Sequence, residues 1–188
     1  MMRTNRPGQS ALLLLDVIDV LNTLKIHYAI VGAFAASFYG LVRASMDADA
    51  LISLQGNKQG VEQLLIELKE RGFNIEHRKG DFNDPIASLI NAQDRFYNRV
   101  DLLMGIKGMG EDVFSRVIHS KFTDTEICIV GIEDFIVMKV FAGGPRDLED
   151  VRGVLKISSS KINLPLLKEL VSRYGLEVSL RLKSILEE

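Results

Sequence analysis

The stretch Val31–Leu51, VGAFAASFYGLVRASMDADAL, decides the fold. It follows Tyr28-Ala29-Ile30, so Tyr28–Val31 is an apolar run ended by Gly32. That pattern predicts a short buried strand closed by a turn. Ala33–Leu41 is rich in small residues and predicts a short helix. Met46–Leu54 alternates in part and predicts a second strand. Residues two apart in a strand share a face. Asp47 and Asp49 then aim at one spot, while Met46, Ala48 and Ala50 face the core. Two neighbouring carboxylates repel, and a divalent cation resolves the repulsion. Mg²⁺, or Mn²⁺ in its place, takes hard oxygen ligands and bridges substrate phosphates. The plainer reading of an isolated Asp-x-Asp is a solvated strand end.

A third carboxylate shifts the balance. Asp101 lies in Asn98–Met104, NRVDLLM. Val100, Leu102 and Met104 share one face, so Asp101 emerges on the other beside Leu103. A charge inside such an apolar strand is costly without a partner. Neighbouring strands carrying Asp47/Asp49 and Asp101 would supply three oxygen ligands for one or two metals, as phosphoryl transfer requires. The alternative is an ion pair of Asp101 with Arg43, Arg99 or another surface base.

The residues around this cluster have two readings each. A strand-to-helix junction at Gly32 presents free N–H groups and the positive end of a helix dipole to a phosphate; it is also an ordinary tight turn. Arg43 and Ser45 could touch a triphosphate or orient a carboxylate; otherwise they are a surface ion pair and a strand-start hydroxyl. Lys139 is the one charge in Phe135–Ala142, FIVMKVFA. It either neutralises phosphate or snorkels from a buried helix. Arg146, Asp147 and Asp150 open the next helix, where acids suit the dipole in any case.

Outward from these residues, Ala11–Leu24 has apolar residues at helical spacing with Ser10 as N-cap. Asn57 and Gly60 mark a turn before a helix at Val61–Arg71, closed by Gly72. Phe73–Arg78 predicts a strand. Ile86–Asn91 and Tyr97–Met104 predict a hairpin around Gln93-Asp94-Arg95. Glu111–Ile118 predicts a helix, and Glu126–Val130 a strand. Helices follow at Ile132–Phe141, Arg146–Lys156, Leu164–Tyr174 and Glu177–Leu186, broken by Gly143-Gly144-Pro145 and by Gly175. Strands in the middle and helices at the end predict a mixed sheet flanked by helices, α/β (α+β) in class, with a helical C-terminal portion.

Composition narrows the class. The chain has 188 residues, 47% of them hydrophobic, enough for one core. Lys+Arg number 23 against 25 Asp+Glu, for a formal net charge of -2. That balance argues against a protein coating nucleic acid. Cys128 is the single cysteine, which excludes an internal disulfide and fits a reducing, cytoplasmic setting. It reads as a small buried apolar residue. Arg3 and Arg6 precede the apolar run Ala11–Leu15, but Asp16 and Asp19 interrupt it without a cleavage pattern. No apolar run is long enough for a membrane span. His27, His77 and His119 show no zinc spacing with Cys128. Walker A, Rossmann and G-x-S-x-G patterns are lacking.

Val31-Gly32-Ala33, Tyr39-Gly40, Arg43, Ser45, Asp47 and Asp49 together resemble the nucleotidyltransferase signature of the AbiEii-like abortive-infection toxins and their relatives. That signature is a hydrophobic residue, Gly, Gly or Ser, a short helix, Arg-x-Thr-x-Asp-x-Asp, and a third acid on a later strand. Asp101 fits the third acid; Lys139, Arg146, Asp147 and Asp150 match the downstream helices loosely. The resemblance runs from about Val31 to Asp150. It implies a DNA polymerase β-like nucleotidyltransferase fold; the order of elements divides it into a core at 1–131 and a helical portion at 132–188 packed on it, which together can count as one domain. The resemblance also implies Mg²⁺ on the three acids, triphosphate at the Gly32 turn, and support from Lys139. Transfer of a nucleoside monophosphate from an NTP to an acceptor follows, with Asp101 helping to deprotonate the acceptor hydroxyl. A tRNA, a protein or a small molecule would be the acceptor, tRNA first by analogy with toxins of the family, and a cognate antitoxin would be a partner. Ala33 replaces the small polar residue or second glycine, and Ser45 replaces Thr. The first departure leaves open a catalytically weak nucleotide- or partner-binding module with the same fold. The third reading is the toxin-neutralising half of a two-gene pair.

Overall fold

The computed structural model describes residues 2–55 and 60–187. The strands are β1 (His27–Val31), β2 (Asp47–Ser53), β3 (Asn74–Lys79), β4 (Ile86–Gln93), β5 (Arg99–Ile106), β6 (Ile118–Phe122) and β7 (Thr125–Ile129). They form a seven-stranded mixed sheet in the order β3-β4-β5-β2-β1-β7-β6. β2 runs parallel to β5 and β1 parallel to β7, while the other neighbours are antiparallel. The helices are α1 (Ser10–Thr23), α2 (Gly32–Phe38), α3 (Gly60–Glu70), α4 (Ile132–Ala142), α5 (Pro145–Ser158), α6 (Leu164–Ser172) and α7 (Leu176–Leu186).

The sheet has one closed face and one partly open face, and the sequence explains both. In β5, Val100, Leu102, Met104 and Ile106 are buried, whereas Arg99, Asp101, Leu103 and Gly105 reach some solvent. Ala48, Ala50 and Ile52 of β2 and Ile90 and Ala92 of β4 extend the closed face. α1 packs against β2, β5 and α3, and its Leu13, Leu14, Val17, Ile18 and Leu21 are fully buried. α4 packs against α5, α6 and α7 and is apolar on most sides, as a helix enclosed by others must be.

Local chemistry sets the boundaries. Asp94 Oδ1 accepts from the N–H groups of Phe96 (2.8 Å) and Asn98 (3.0 Å), which fixes the β4–β5 turn. Gly143 takes a left-handed φ of 67° after α4, and Pro145 starts α5.

Several expectations change in detail. Gln9 is the N-cap of α1. Ser10 lies inside the helix, and its hydroxyl donates to Met46 O (2.7 Å) and accepts from Arg99 N (3.0 Å). It thus ties α1 to the start of both acid-bearing strands. Met46 precedes β2 and is 80% exposed, so it is not a core residue. The predicted helix Glu111–Ile118 is a 3-10 turn at Glu111–Ser115 followed by β6. The edge strand β6, IHSKF, was hidden because its one solvated hairpin offers no apolar alternation. Cys128 is half-buried. Asn57 lies outside the described residues. No helix among the described residues is long and apolar enough to cross a membrane.

Leu102 is fully buried at the centre of β5, next to Asp101. Leu102→Ala is expected to lower the unfolding free energy by about 2–5 kcal/mol in a denaturant titration, from lost burial and a residual cavity.

Candidate active site

The parallel pairing of β2 with β5 sets the site. Its register places Asp47 opposite Arg99 and Asp49 opposite Asp101. The antiparallel neighbours continue the row: Val31 lies opposite Asp49, Asn91 opposite Asp101, and Glu76 opposite Asn91. Polar side chains thus line up across the open face from β2 to β3. Carboxylate oxygens of Asp47, Asp49 and Asp101 all lie within 4.8 Å of one another.

Each acid is held differently. Asp47 Oδ1 accepts from Ser45 Oγ at 2.6 Å and Oδ2 from Arg99 Nη2 at 2.7 Å. The Ser45 hydroxyl and then Arg99 hold the Asp47 carboxyl below its usual range against the effect of burial. Asp101 Oδ1 accepts from Asn91 Nδ2 at 2.6 Å, and its Oδ2 lies 3.3 Å from the same Arg99 nitrogen. Asp49 sits between the two, and no protein donor reaches it among the described residues. Burial, and then the charges of Asp47 and Asp101, push its carboxyl up to about 6, against the opposing pull of Lys139 and Arg99.

This donor set fits a divalent cation. All three groups are hard carboxylate oxygens, and the central one is mostly withdrawn from water without a compensating hydrogen bond. Gly32 completes the wall. It is the first residue of α2, with φ at 63°, and a Cβ there would collide with the Asp49 carboxylate. Only glycine accepts both the left-handed backbone and this close approach.

Two clefts adjoin Asp49 and Asp101, and a third, of about 180 Å³, lies beside Asp47 and is lined by Ala33, Arg43 and Ser45, among others. The first, of about 260 Å³, is lined by Gly32, Asp49, Leu103, Met138, Lys139 and Asp147, among others. The second, of about 370 Å³, is polar and is lined by Glu76, Arg78, Leu89, Asn91, Gln93, Arg99 and Asp101. Lys139 reaches the first cleft from α4, and Asp147 Oδ1 (2.6 Å) and Asp150 Oδ2 (3.0 Å) hold its ammonium. Arg43 Nε lies 3.2 Å from Asp150 Oδ1. Arg43 is therefore tied to α5 through Asp150 rather than to Asp101. Ala33 is buried in the first turn of α2. Arg146 is exposed on the first turn of α5.

Of the ion-pair partners the sequence offers for Asp101, Arg99 is the one that makes the contact, from two positions earlier on the same strand face. One further neighbour of the acids is not legible in the sequence. Asn91 becomes visible only through the β4–β5 register.

No family model and no curated protein sequence matches this chain. Solved structures do match it. The lincomycin-bound lincosamide antibiotic adenylyltransferase LnuA superimposes with a TM-score of 0.53 at 12% identity, over 82% of this chain and all 100% of that one. ANT(2")-Ia, solved with adenylyl-2"-tobramycin, gives 0.59 at 11% identity, over 88% and 96%. An antigenic nucleotidyltransferase-like protein from Paracoccidioides brasiliensis gives 0.58 at 14% identity, over 98% and 90%. At these identities the likeness establishes the fold. The chain has the DNA polymerase β-like nucleotidyltransferase fold.

Asp49→Asn is expected to stabilise the apo protein at pH 7 by roughly 1–3 kcal/mol in denaturant titrations. The sign follows from the raised carboxyl. The unfolded chain ionises near its ordinary value of 3.8, before the folded one does at about 6. Wild type therefore loses stability as pH rises through this window, the variant does not, and the difference closes below about pH 4. Gly32→Ala is expected to cost more than about 1 kcal/mol, since an L-residue is strained at positive φ and the Asp49 carboxylate must also move.

Proposed function

We propose that the chain is a Mg²⁺-dependent nucleotidyltransferase that moves a nucleoside monophosphate from an NTP to an acceptor hydroxyl. One observation carries this reading: three carboxylates from two parallel neighbouring strands converge beside a positive-φ glycine turn and a lysine-lined cleft. Asp47, Asp49 and Asp101 would hold the cation, with Mn²⁺ as a substitute. A cation held there would supply charge neutralisation for the phosphates and for the oxygens entering and leaving phosphorus.

The chain's own groups divide the remaining work. Gly32 and Lys139 line the cleft beside Asp49, which suits the triphosphate, while Ala33 lines the cleft beside Asp47. Lys139 gives a phosphate an ammonium already fixed by Asp147 and Asp150. Arg43 steadies that arrangement through Asp150, Ser45 orients Asp47, and Arg146, exposed on the first turn of α5, would approach the outer phosphates. Asp101, oriented by Asn91, borders the polar cleft and is the group to accept the acceptor's proton. The acceptor oxygen bonds to the α-phosphorus, the bond to the bridging oxygen breaks, and pyrophosphate leaves.

The polar cleft beside Asp101 has the size of a small-molecule site. LnuA is a lincosamide adenylyltransferase, and ANT(2")-Ia was solved with an adenylylated tobramycin; both names support a small-molecule acceptor. The resemblance to AbiEii-like toxins supports a tRNA acceptor and a cognate antitoxin, a protein acceptor being the remaining class, and the single cysteine fits a cytoplasmic location. The order of elements supports the division at 131/132, with α4–α7 as a helical portion on the core. One feature favours a second reading, a nucleotide- or partner-binding module without chemistry. Ala33 contributes no hydroxyl where the family pattern has a polar residue or glycine.

The two readings separate in one assay. With α-³²P-labelled NTPs, Mg²⁺ and pools of cellular RNA, protein and small molecules, wild type is expected to label an acceptor. Asp47→Asn and Asp101→Asn are expected to lose at least about 100-fold of the labelling. A melting temperature raised by NTP and Mg²⁺, without labelling of any pool, would establish the binding module instead.

A further inference from the structure

Arg99 stands among the three acids, and its geometry is unusual for a structural ion pair. A single nitrogen, Nη2, serves both partners, at 2.7 Å from Asp47 Oδ2 and 3.3 Å from Asp101 Oδ2. The two-pronged fork that makes Arg–carboxylate pairs strong is not formed with either acid. The Arg99 side chain is 44% exposed, so water can replace these bonds at little cost.

The oxygens it occupies matter more. Arg99 takes Oδ2 of Asp47 and Oδ2 of Asp101. Ser45 and Asn91 hold the two Oδ1 atoms. Removing the guanidinium therefore frees one oxygen on each outer acid, while the other oxygen keeps the carboxylate oriented. Asp49, between them, already has no donor among the described residues. Arg99 also has somewhere to go. It lines the polar cleft, opposite Gln93 in register and near Glu76 and Asn91, so side-chain rotation alone can carry its charge off the acids. Lys139 cannot play this part, because it is buried and fixed by two acids of its own.

We infer that Arg99 is a displaceable counter-ion: it holds the acid cluster together in the absence of metal, and a divalent cation enters by turning it out into the polar cleft. This rests on the metal-binding reading of the three acids. A divalent ion outcompetes the guanidinium because it carries twice the charge and approaches carboxylate oxygens more closely. Arg99 then sets how much free metal the site needs before it fills, and its guanidinium leaves the acids for the cleft it already lines only in the loaded state.

The test is calorimetric titration of Mn²⁺ into wild type, Arg99→Gln and Arg99→Lys. Arg99→Gln is expected to bind Mn²⁺ roughly 2- to 10-fold more tightly, the range of one or two exposed ion pairs removed from competition. Its melting temperature in EDTA should fall, and its rise on adding Mn²⁺ should exceed that of wild type. Arg99→Lys, which keeps a cation, should lie nearer wild type. Wild type labelled with ¹⁵N-arginine supplies a readout that needs no folded neutral variant. Saturating Mg²⁺ should shift the Arg99 side-chain resonance and speed its guanidinium rotation, the resonance being identified by its absence from Arg99→Lys. Equal Mn²⁺ affinity in all three proteins, or an Arg99 resonance indifferent to Mg²⁺, overturns the role given to Arg99 and leaves the metal site standing. Mn²⁺ binding by none of them removes both.

Discussion

Mutual repulsion among three carboxylates is the constraint to which the rest of the molecule answers. The parallel β2–β5 register forces Asp49 against Asp101, with Asp47 one pleat away. Two unit charges at such a separation cost at most roughly 3–4 kcal/mol at the effective dielectric of a protein surface, and less here because Arg99 and Lys139 counter them. The residues that set the register offset this. Val100, Leu102 and Met104 are buried on the opposite side of the same strand, at about 1.5–3 kcal/mol apiece. An apolar face thus pins a charged one, and the acids cannot separate without unpairing the middle of the sheet.

The surrounding polar groups are arranged so that each acid meets a different remedy. Ser45 and Arg99 serve Asp47; Asn91 and Arg99 serve Asp101; Asp49 is left with its proton equilibrium displaced upward. On the other side of the Gly32 wall, Lys139 is itself over-provided, with two carboxylates on its ammonium and Arg43 sharing one of them. The chain of charges from Arg43 through Asp150 and Lys139 to Asp147 locks α5 to α4. It also fixes the distance between the lysine and the acids. Under the proposed function, a phosphate arriving there would meet a rigid donor, so little side-chain freedom would be lost on binding.

Much of this was legible in the sequence, because it follows from short-range periodicity. Asp47 and Asp49 share a face through the period of two, and Asp101 stands alone among Val100, Leu102 and Leu103 for the same reason. Gly32 marks the β1–α2 junction. Features set by distant pairing were not legible. Arg43 reads as a neighbour of the acidic strand, yet it turns to Asp150 on α5. Ser10 reads as a helix cap, yet its hydroxyl bridges the starts of β2 and β5. Asn91 reads as an ordinary strand residue until the register brings it to Asp101. Strand β6 lacks an apolar face and so gave no signal of its own.

The position of β5 in the sheet has a consequence for how the molecule comes into being. Although β4 and β5 are hairpin neighbours, β5 also inserts beside β2, and the Asp47–Arg99 contact spans 52 residues of chain. Closing so long a loop is slow compared with forming the local hairpins on either side. During synthesis, no fragment ending before β5 can assemble the acid cluster, and Lys139 arrives only with the helices that follow. Under the proposed function, nucleotide chemistry would thereby be withheld from the nascent chain until most of the polypeptide has left the ribosome.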